Sequence, residues 1–61
     1  MELKKLIGMT EPEAVTEIQM AGMIPRVRAR DGKSYMVTMD ARDDRVNLWI
    51  VNGTVTRVSI G

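Results

Sequence analysis

Apolar and polar residues follow one another in patterns that predict one helix and then three strands. Thr10 and Glu13 have the spacing of a capping box, and Pro12 suits the first turn of a helix. Four small or apolar residues then recur at helical spacing: Ala14, Val15, Ile18 and Ala21. Gly22 is a typical residue at a helix end. We therefore predict a helix over residues 11–21.

Three later segments alternate with a period of two residues and predict strands over residues 25–30, 46–51 and 54–60. In the first strand, one face is basic and consists of Arg26, Arg28 and Arg30. In the second strand, Trp49 points away from the face that carries Val46, Leu48 and Ile50. With the helix, these strands predict the α+β class, one helix packed on a small mixed sheet with a long projecting loop.

Asn52 and Gly53 mark a turn between the last two strands. A two-residue loop would pair Val51 with Thr54 and place the apolar residues of the last strand on the Trp49 face. A three-residue loop would pair Ile50 with Thr54 and place all of these apolar residues on one face. We therefore predict the three-residue loop.

The segment from residue 31 to residue 44 is long for a connection in a compact domain, and such segments are usually functional or disordered. Asp31 and Gly32 begin it with a turn signal. Its composition is not that of a disordered segment, because it contains Tyr35, Met36, Val37 and Met39. Apolar and β-branched residues alternate over residues 35–42, a pattern that fits a buried strand or an extended segment held out for a partner, which is a recognised mode of binding.

Composition narrows the classes of function. The length allows a single domain, residues 1–61. Without cysteine or histidine, the chain has no disulfide, no Cys/His zinc site and no histidine acid–base chemistry. Nine basic and eight acidic residues give a formal charge of +1, which predicts neither a nucleic-acid partner nor a membrane partner. We expect a binding or inhibitory module rather than an enzyme, with no catalytic residues, no metal and no cofactor.

The chain contains no apolar run of the roughly 18 residues that a transmembrane helix needs. Residues 1–7 are too few and too charged for a signal peptide. The absence of cysteine agrees with a reducing compartment. We therefore expect a cytoplasmic protein.

Residues 36–48 resemble the reactive-site segment of the potato inhibitor I family. They are most similar to the small bacterial peptidase inhibitors of that family, which carry a Val-Thr-Met-Asp segment, here residues 37–40. The next family pattern, Arg-x-Asp-Arg-(aliphatic)-Asn, matches residues 42–47. The resemblance implies a helix packed on a sheet whose first two long strands are parallel. It also implies a loop that presents a scissile bond to a serine peptidase of the subtilisin or chymotrypsin type.

Carried over by position, the resemblance implies that Met39 enters the specificity pocket and that the peptide bond between Met39 and Asp40 is scissile. The peptidase-binding loop would consist of Val37, Thr38, Met39, Asp40 and Ala41. The residues that support this loop would be Arg42, Arg45 and Asn47. Asn47 stands where the plant members of the family carry a second supporting arginine.

Other interpretations of these residues remain open. Met39 could pack in the core, and the charged residues of the loop could form solvated surface pairs. On the same fold, the chain could instead be a non-inhibitory protein that sequesters an anionic small molecule such as a nucleotide, as an oligomer. Its ligand would then lie on the basic face of Arg26, Arg28 and Arg30, with Arg45 as a further contact. Trp49 could pack under the loop, or its face could be a surface for self-association.

Overall fold

The computed structural model describes residues 2–38 and 40–61, so the predictions that concern Met39 lie outside the described residues. A 3₁₀ turn over Leu3–Leu6 precedes the helix. The regular elements are helix α1 (Glu11–Met20) and strands β1 (Ile24–Arg30), β2 (Lys33–Ser34), β3 (Arg45–Val51) and β4 (Thr54–Ile60).

The helix begins as its sequence predicts. The Thr10 backbone N–H donates to Glu13 Oε1 at 2.9 Å, and the Glu13 N–H donates to Thr10 Oγ1 at 3.4 Å, which completes the capping box. The helix ends one residue earlier than predicted, because Ala21 is its C-cap. Gly22 follows with a positive φ of 75°, a conformation in which glycine avoids steric strain.

The four strands form one sheet in the order β2-β1-β3-β4. Strands β1 and β3 are parallel, while the pairs β1/β2 and β3/β4 are antiparallel. The α+β fold and the parallel pair are thus confirmed, whereas β2 was not predicted. Helix α1 packs on one face of the sheet, around a core of Leu6, Ala14, Ile18, Val46, Leu48, Ile50 and Val55. Among the described residues, no helix is long and apolar enough to cross a bilayer.

The turn between β3 and β4 differs from the prediction. Val51 pairs with Thr54, so the loop contains only Asn52 and Gly53, and the predicted three-residue loop is wrong. Both loop residues have positive φ angles, 51° and 74°. Such angles give a two-residue turn the twist that antiparallel strands require.

A bulge in β4 preserves the apolar face that the longer loop was predicted to preserve. Trp49 pairs with Arg57 and Ile50 pairs with Val55, which leaves Thr56 as an extra residue in β4. Beyond this bulge, Val58 lies opposite Leu48 and packs against the core. The extra residue that was predicted in the turn is therefore found within β4, where it changes the register in the same way.

Candidate functional site

An exposed loop connects β2 to β3, and its described residues between positions 35 and 44 form neither helix nor strand. Met36, Thr38, Asp40, Ala41 and Arg42 are exposed in this loop, and Val37 is half-buried. Residues 37, 38 and 40 thus lie outside the sheet, as predicted. We refer to residues 35–44 as the exposed loop, and the described parts before and after Met39 as its ascending and descending limbs.

Arg45, the first residue of β3, binds the descending limb from below. Arg45 is only 8% exposed. Nη2 donates to the Asp40 backbone oxygen at 2.9 Å, and both Nη atoms lie 3.4 Å from the Asp40 carboxylate. Nε donates to the Gly61 backbone oxygen at 2.8 Å. One buried guanidinium therefore connects the loop to the end of β4.

The Asp40 carboxylate also accepts a hydrogen bond from the Thr38 hydroxyl group. This bond and the Arg45 guanidinium lower the pKa of Asp40 to about 2. The carboxylate is therefore ionised at neutral pH and available to both donors. We call the group formed by Thr38, Asp40 and Arg45 the Asp40 clamp.

Arg26 supplies a second guanidinium beneath the loop, from β1. Arg26 pairs with Asn47 across the parallel strands, and its Nε donates to Asn47 Oδ1 at 2.7 Å. Arg26 Nη2 and Asn47 Nδ2 each donate to the Gly61 backbone oxygen at 3.2 Å. Desolvation and the nearby charge of Arg45 lower the pKa of Arg26. Asn47 makes no hydrogen bond to the described residues of the loop, and it meets Arg45 only through their shared acceptor, the Gly61 oxygen. Its role in supporting the loop therefore stays a prediction.

Arg42 contacts Asp44 rather than Asp40. Its Nε and Nη2 donate to the two Asp44 carboxylate oxygens at 2.8 and 2.9 Å. This pair raises the pKa of Arg42 and lowers the pKa of Asp44. Both side chains are almost half exposed, so the pair restrains the descending limb only locally.

The basic face predicted for β1 is divided by a second bulge. The register between β1 and β3 shifts between Val27 and Ala29, around Arg28. Before the bulge, Arg26 points towards Asn47, on the side of the exposed loop. After it, Arg30 points towards helix α1, where it forms a 2.6 Å ion pair with Glu11. The three arginines therefore do not share one open face.

Trp49 lies beside Arg57, with which it pairs across β3 and β4. The Arg57 guanidinium carbon is 4.4 Å from the centroid of the Trp49 ring, a cation–π distance. The ring is half-buried. The Arg57 guanidinium covers part of the surface that a second copy of the protein would contact. Self-association through the Trp49 face remains a prediction.

The sequence did not indicate the roles of Arg26 and Gly61 under the loop. Arg26 meets Asn47 only because β1 and β3 pair in parallel, in one particular register. Alternation assigned Arg26 to an exposed face, and nothing in the chain order connects it with position 47. In the described part of the chain, every buried side-chain nitrogen and oxygen has a hydrogen-bond partner.

Comparison with known proteins identifies no relative: no family model matches the chain, and no curated protein or solved structure matches it significantly. The resemblance to the potato inhibitor I family therefore stays a prediction from the residues of the loop and its support.

Proposed function

We propose that this protein is a substrate-like reactive-loop inhibitor of serine peptidases of the subtilisin or chymotrypsin type. The scissile bond would join Met39 to Asp40. The observation that carries the proposal is the Asp40 clamp, because Arg45 holds both the backbone oxygen and the carboxylate of the residue that follows Met39.

Pre-organisation is the physical basis of this proposal. A peptidase binds its substrate as an extended segment, and a flexible segment loses conformational entropy when it binds. That loss is about 0.5–1.5 kcal/mol for each immobilised side chain with many rotamers. An exposed loop that is already held on its descending limb avoids part of the loss, so it can bind more tightly than a free peptide of the same sequence.

The same contacts would slow net cleavage. Attack of the peptidase serine on the Met39 carbonyl would break the bond to Asp40, leaving Met39 as an acyl enzyme and Asp40 with a new amino group, while Arg45 would still hold the Asp40 oxygens. The amino group would then remain close to the acyl enzyme and could re-form the peptide bond. Because the loop holds the amino group near the acyl enzyme, its effective concentration is high, which favours re-formation of the peptide bond over release of the fragment.

The chemistry of Met39 supports the choice of target class. Methionine is long, unbranched and apolar, and it suits a roomy hydrophobic pocket better than a charged or a narrow one. The partner that fits this residue is therefore a serine peptidase with an apolar specificity pocket.

The test is an inhibition assay against subtilisin and chymotrypsin, with the mass of the complex measured by size exclusion in the same buffer. We expect inhibition at equimolar protein and, after long incubation, a single cut between Met39 and Asp40 in the mass spectrum. Rapid cleavage at scattered sites without inhibition would overturn the proposal.

A further inference from the structure

The ascending limb of the exposed loop has contacts of its own, separate from the Asp40 clamp. The Tyr35 backbone N–H donates to the Arg28 backbone oxygen at 3.0 Å. The Tyr35 hydroxyl oxygen accepts from Arg30 Nη1 at 3.2 Å, and the Arg30 guanidinium carbon is 5.7 Å from the centroid of the tyrosine ring. Tyr35 is 39% exposed, so these contacts rather than burial determine its position.

Arg30 is itself held by the first residue of the helix. Its Nε and Nη2 donate to the two carboxylate oxygens of Glu11 at 3.1 and 2.6 Å. The Glu11 backbone N–H in turn donates to the Gly53 backbone oxygen at 2.9 Å. The start of α1 and the turn between β3 and β4 therefore fix the guanidinium that Tyr35 meets.

From this geometry we propose that Glu11, Arg30 and Tyr35 are positioning residues that orient the ascending limb independently of the Asp40 clamp. We call these three residues the Tyr35 anchor. The two groups share no residue. The Tyr35 anchor holds the loop at residue 35, before Met39, whereas Arg45 of the Asp40 clamp holds it after Met39, and the hydrogen bond from Thr38 to Asp40 joins the two limbs. The consequence for inhibition rests on the proposed function, whereas the consequence for loop conformation does not.

The energetics favour a positioning role over a role in global stability. The ion pair between Arg30 and Glu11 is partly open to solvent, and such pairs contribute little to the free energy of unfolding. A bidentate pair between arginine and a carboxylate nevertheless fixes the plane and direction of the guanidinium. Loss of the Tyr35 anchor should therefore free a short segment without unfolding the domain.

Amide hydrogen exchange, followed by NMR, can separate the two limbs. The amide of residue 35 reports on the ascending limb through its bond to Arg28. The amide of Ile24 reports on the descending limb, because it donates to the Asp44 backbone oxygen at 2.8 Å. In Tyr35→Phe and Arg30→Met, we expect exchange at residue 35 to accelerate about fivefold, as for the loss of one hydrogen bond, with Ile24 unchanged.

Two further variants make the comparison specific. Arg45→Met should accelerate exchange at Ile24 and leave residue 35 unchanged. Arg28→Met is the matched control. The Arg28 side chain lies on the same strand and makes no hydrogen bond within the described residues, and the substitution keeps the backbone oxygen that accepts from Tyr35. This control should change neither amide. Thermal unfolding of Tyr35→Phe should match that of the unmutated chain.

The proposal is overturned if Tyr35→Phe and Arg30→Met leave exchange at residue 35 unchanged, or if Arg28→Met accelerates it equally. Equal acceleration at residue 35 and Ile24 in Tyr35→Phe would also overturn it, because the limbs would then not be independent.

With subtilisin, Tyr35→Phe and Glu11→Gln should be cut faster between Met39 and Asp40. If the unmutated chain fails to inhibit, the proposed function fails, and the exchange rates alone decide the role of the Tyr35 anchor.

Discussion

Asp40 is restrained through two chemically different groups, its ionised carboxylate and its backbone oxygen. The carboxylate has donors on both sides, the Thr38 hydroxyl group within the loop and the Arg45 guanidinium beneath it. The backbone oxygen is held by Arg45 alone within the described residues. At the scale of single residues, Arg45 should therefore matter more to the loop than any other charged side chain near it.

Arg45→Ala should make the chain a better substrate and a poorer inhibitor. Without the guanidinium, Asp40 is free to leave after hydrolysis, so we expect faster cutting between Met39 and Asp40 and a smaller change in the association rate. Incubation with subtilisin, followed by mass spectrometry, measures both the site and the rate. Arg42→Ala is the control and should be cut slowly, since Arg42 bonds Asp44 instead. Equal cutting rates in the two variants would contradict the role of Arg45.

Met39 should determine the choice of peptidase. Met39→Gly removes the whole apolar side chain, so we expect binding to a peptidase with a hydrophobic pocket to weaken by at least about tenfold. Met39→Leu keeps the apolar volume and should be tolerated. Inhibition constants against chymotrypsin measure the difference. A glycine variant that inhibits as well as the leucine variant would place the contact elsewhere on the loop.

The Asp40 clamp should depend on pH. The folded pKa of about 2 is below the ordinary value of 3.8, so the ionised carboxylate stabilises the folded loop at pH values above the ordinary value. This contribution is lost as the pH falls through about 2. Thr38→Val removes the largest cause of the shift, and the midpoint should rise towards the ordinary value. NMR of the labelled Asp40 carboxyl carbon measures this midpoint, and Thr16→Val, on the helix, should leave it unchanged.

At the scale of elements, the bulge in β1 decides what its arginines do. It leaves Arg26 beside Asn47 and Gly61 and turns Arg30 towards the helix, where Arg30 bonds both Glu11 and Tyr35 of the loop. Sequestration of a nucleotide by the basic face of β1 would need these two guanidinium groups to turn away from their present partners. The pairing of β1 with β3 thus favours a structural role for Arg26 and Arg30.

Asn47→Arg should destabilise the domain rather than strengthen the support. Asn47 is 5% exposed and lies next to Arg26 and near Arg45, so a third guanidinium there would be repelled and would leave Arg26 without its acceptor. We expect a loss of about 2 kcal/mol in the free energy of unfolding, measured by urea denaturation.

Exchanging the two residues tests the cause of this loss. The double variant Arg26→Asn with Asn47→Arg keeps one guanidinium and one amide side by side, and it should recover most of the stability. A single Asn47→Arg variant as stable as the unmutated chain would show that the strands make room for the extra charge.

At the scale of the whole molecule, one small core carries the fold. Leu48 is fully buried at the centre of the sheet and packs beneath α1. Leu48→Ala should cost about 2–5 kcal/mol, whereas a chain of this length is expected to have a total stability of only about 3–9 kcal/mol. We expect a large fall in the thermal midpoint by circular dichroism. Val51→Ala, at an exposed position of the same strand, should change it little.

The sequence by itself determined the elements whose signals are local. The capping box of Thr10 and Glu13 and the stripe with Ala14 and Ile18 lie within a few residues of one another, so their pattern was sufficient to predict α1. Alternation over residues 46–51 was sufficient for β3 for the same reason. The local pattern of residues 35–42 fitted either a buried strand or an extended loop, and only the length of the segment and the resemblance to the potato inhibitor I family favoured the loop.

Only the tertiary structure decided the register of the strands and the residues that support the loop. The bulge at Thr56 lets both Val55 and Val58 pack against the core, whereas the bulge at Arg28 places Arg30 on the side of the helix. Alternation within a single strand predicts neither shift. The pairing of Arg26 with Asn47 and of Arg30 with Glu11 depends on contacts across 21 and 19 positions of the chain. Hydrogen bonds of this range depend on where the folded chain brings side chains together, and the local order of residues does not specify that.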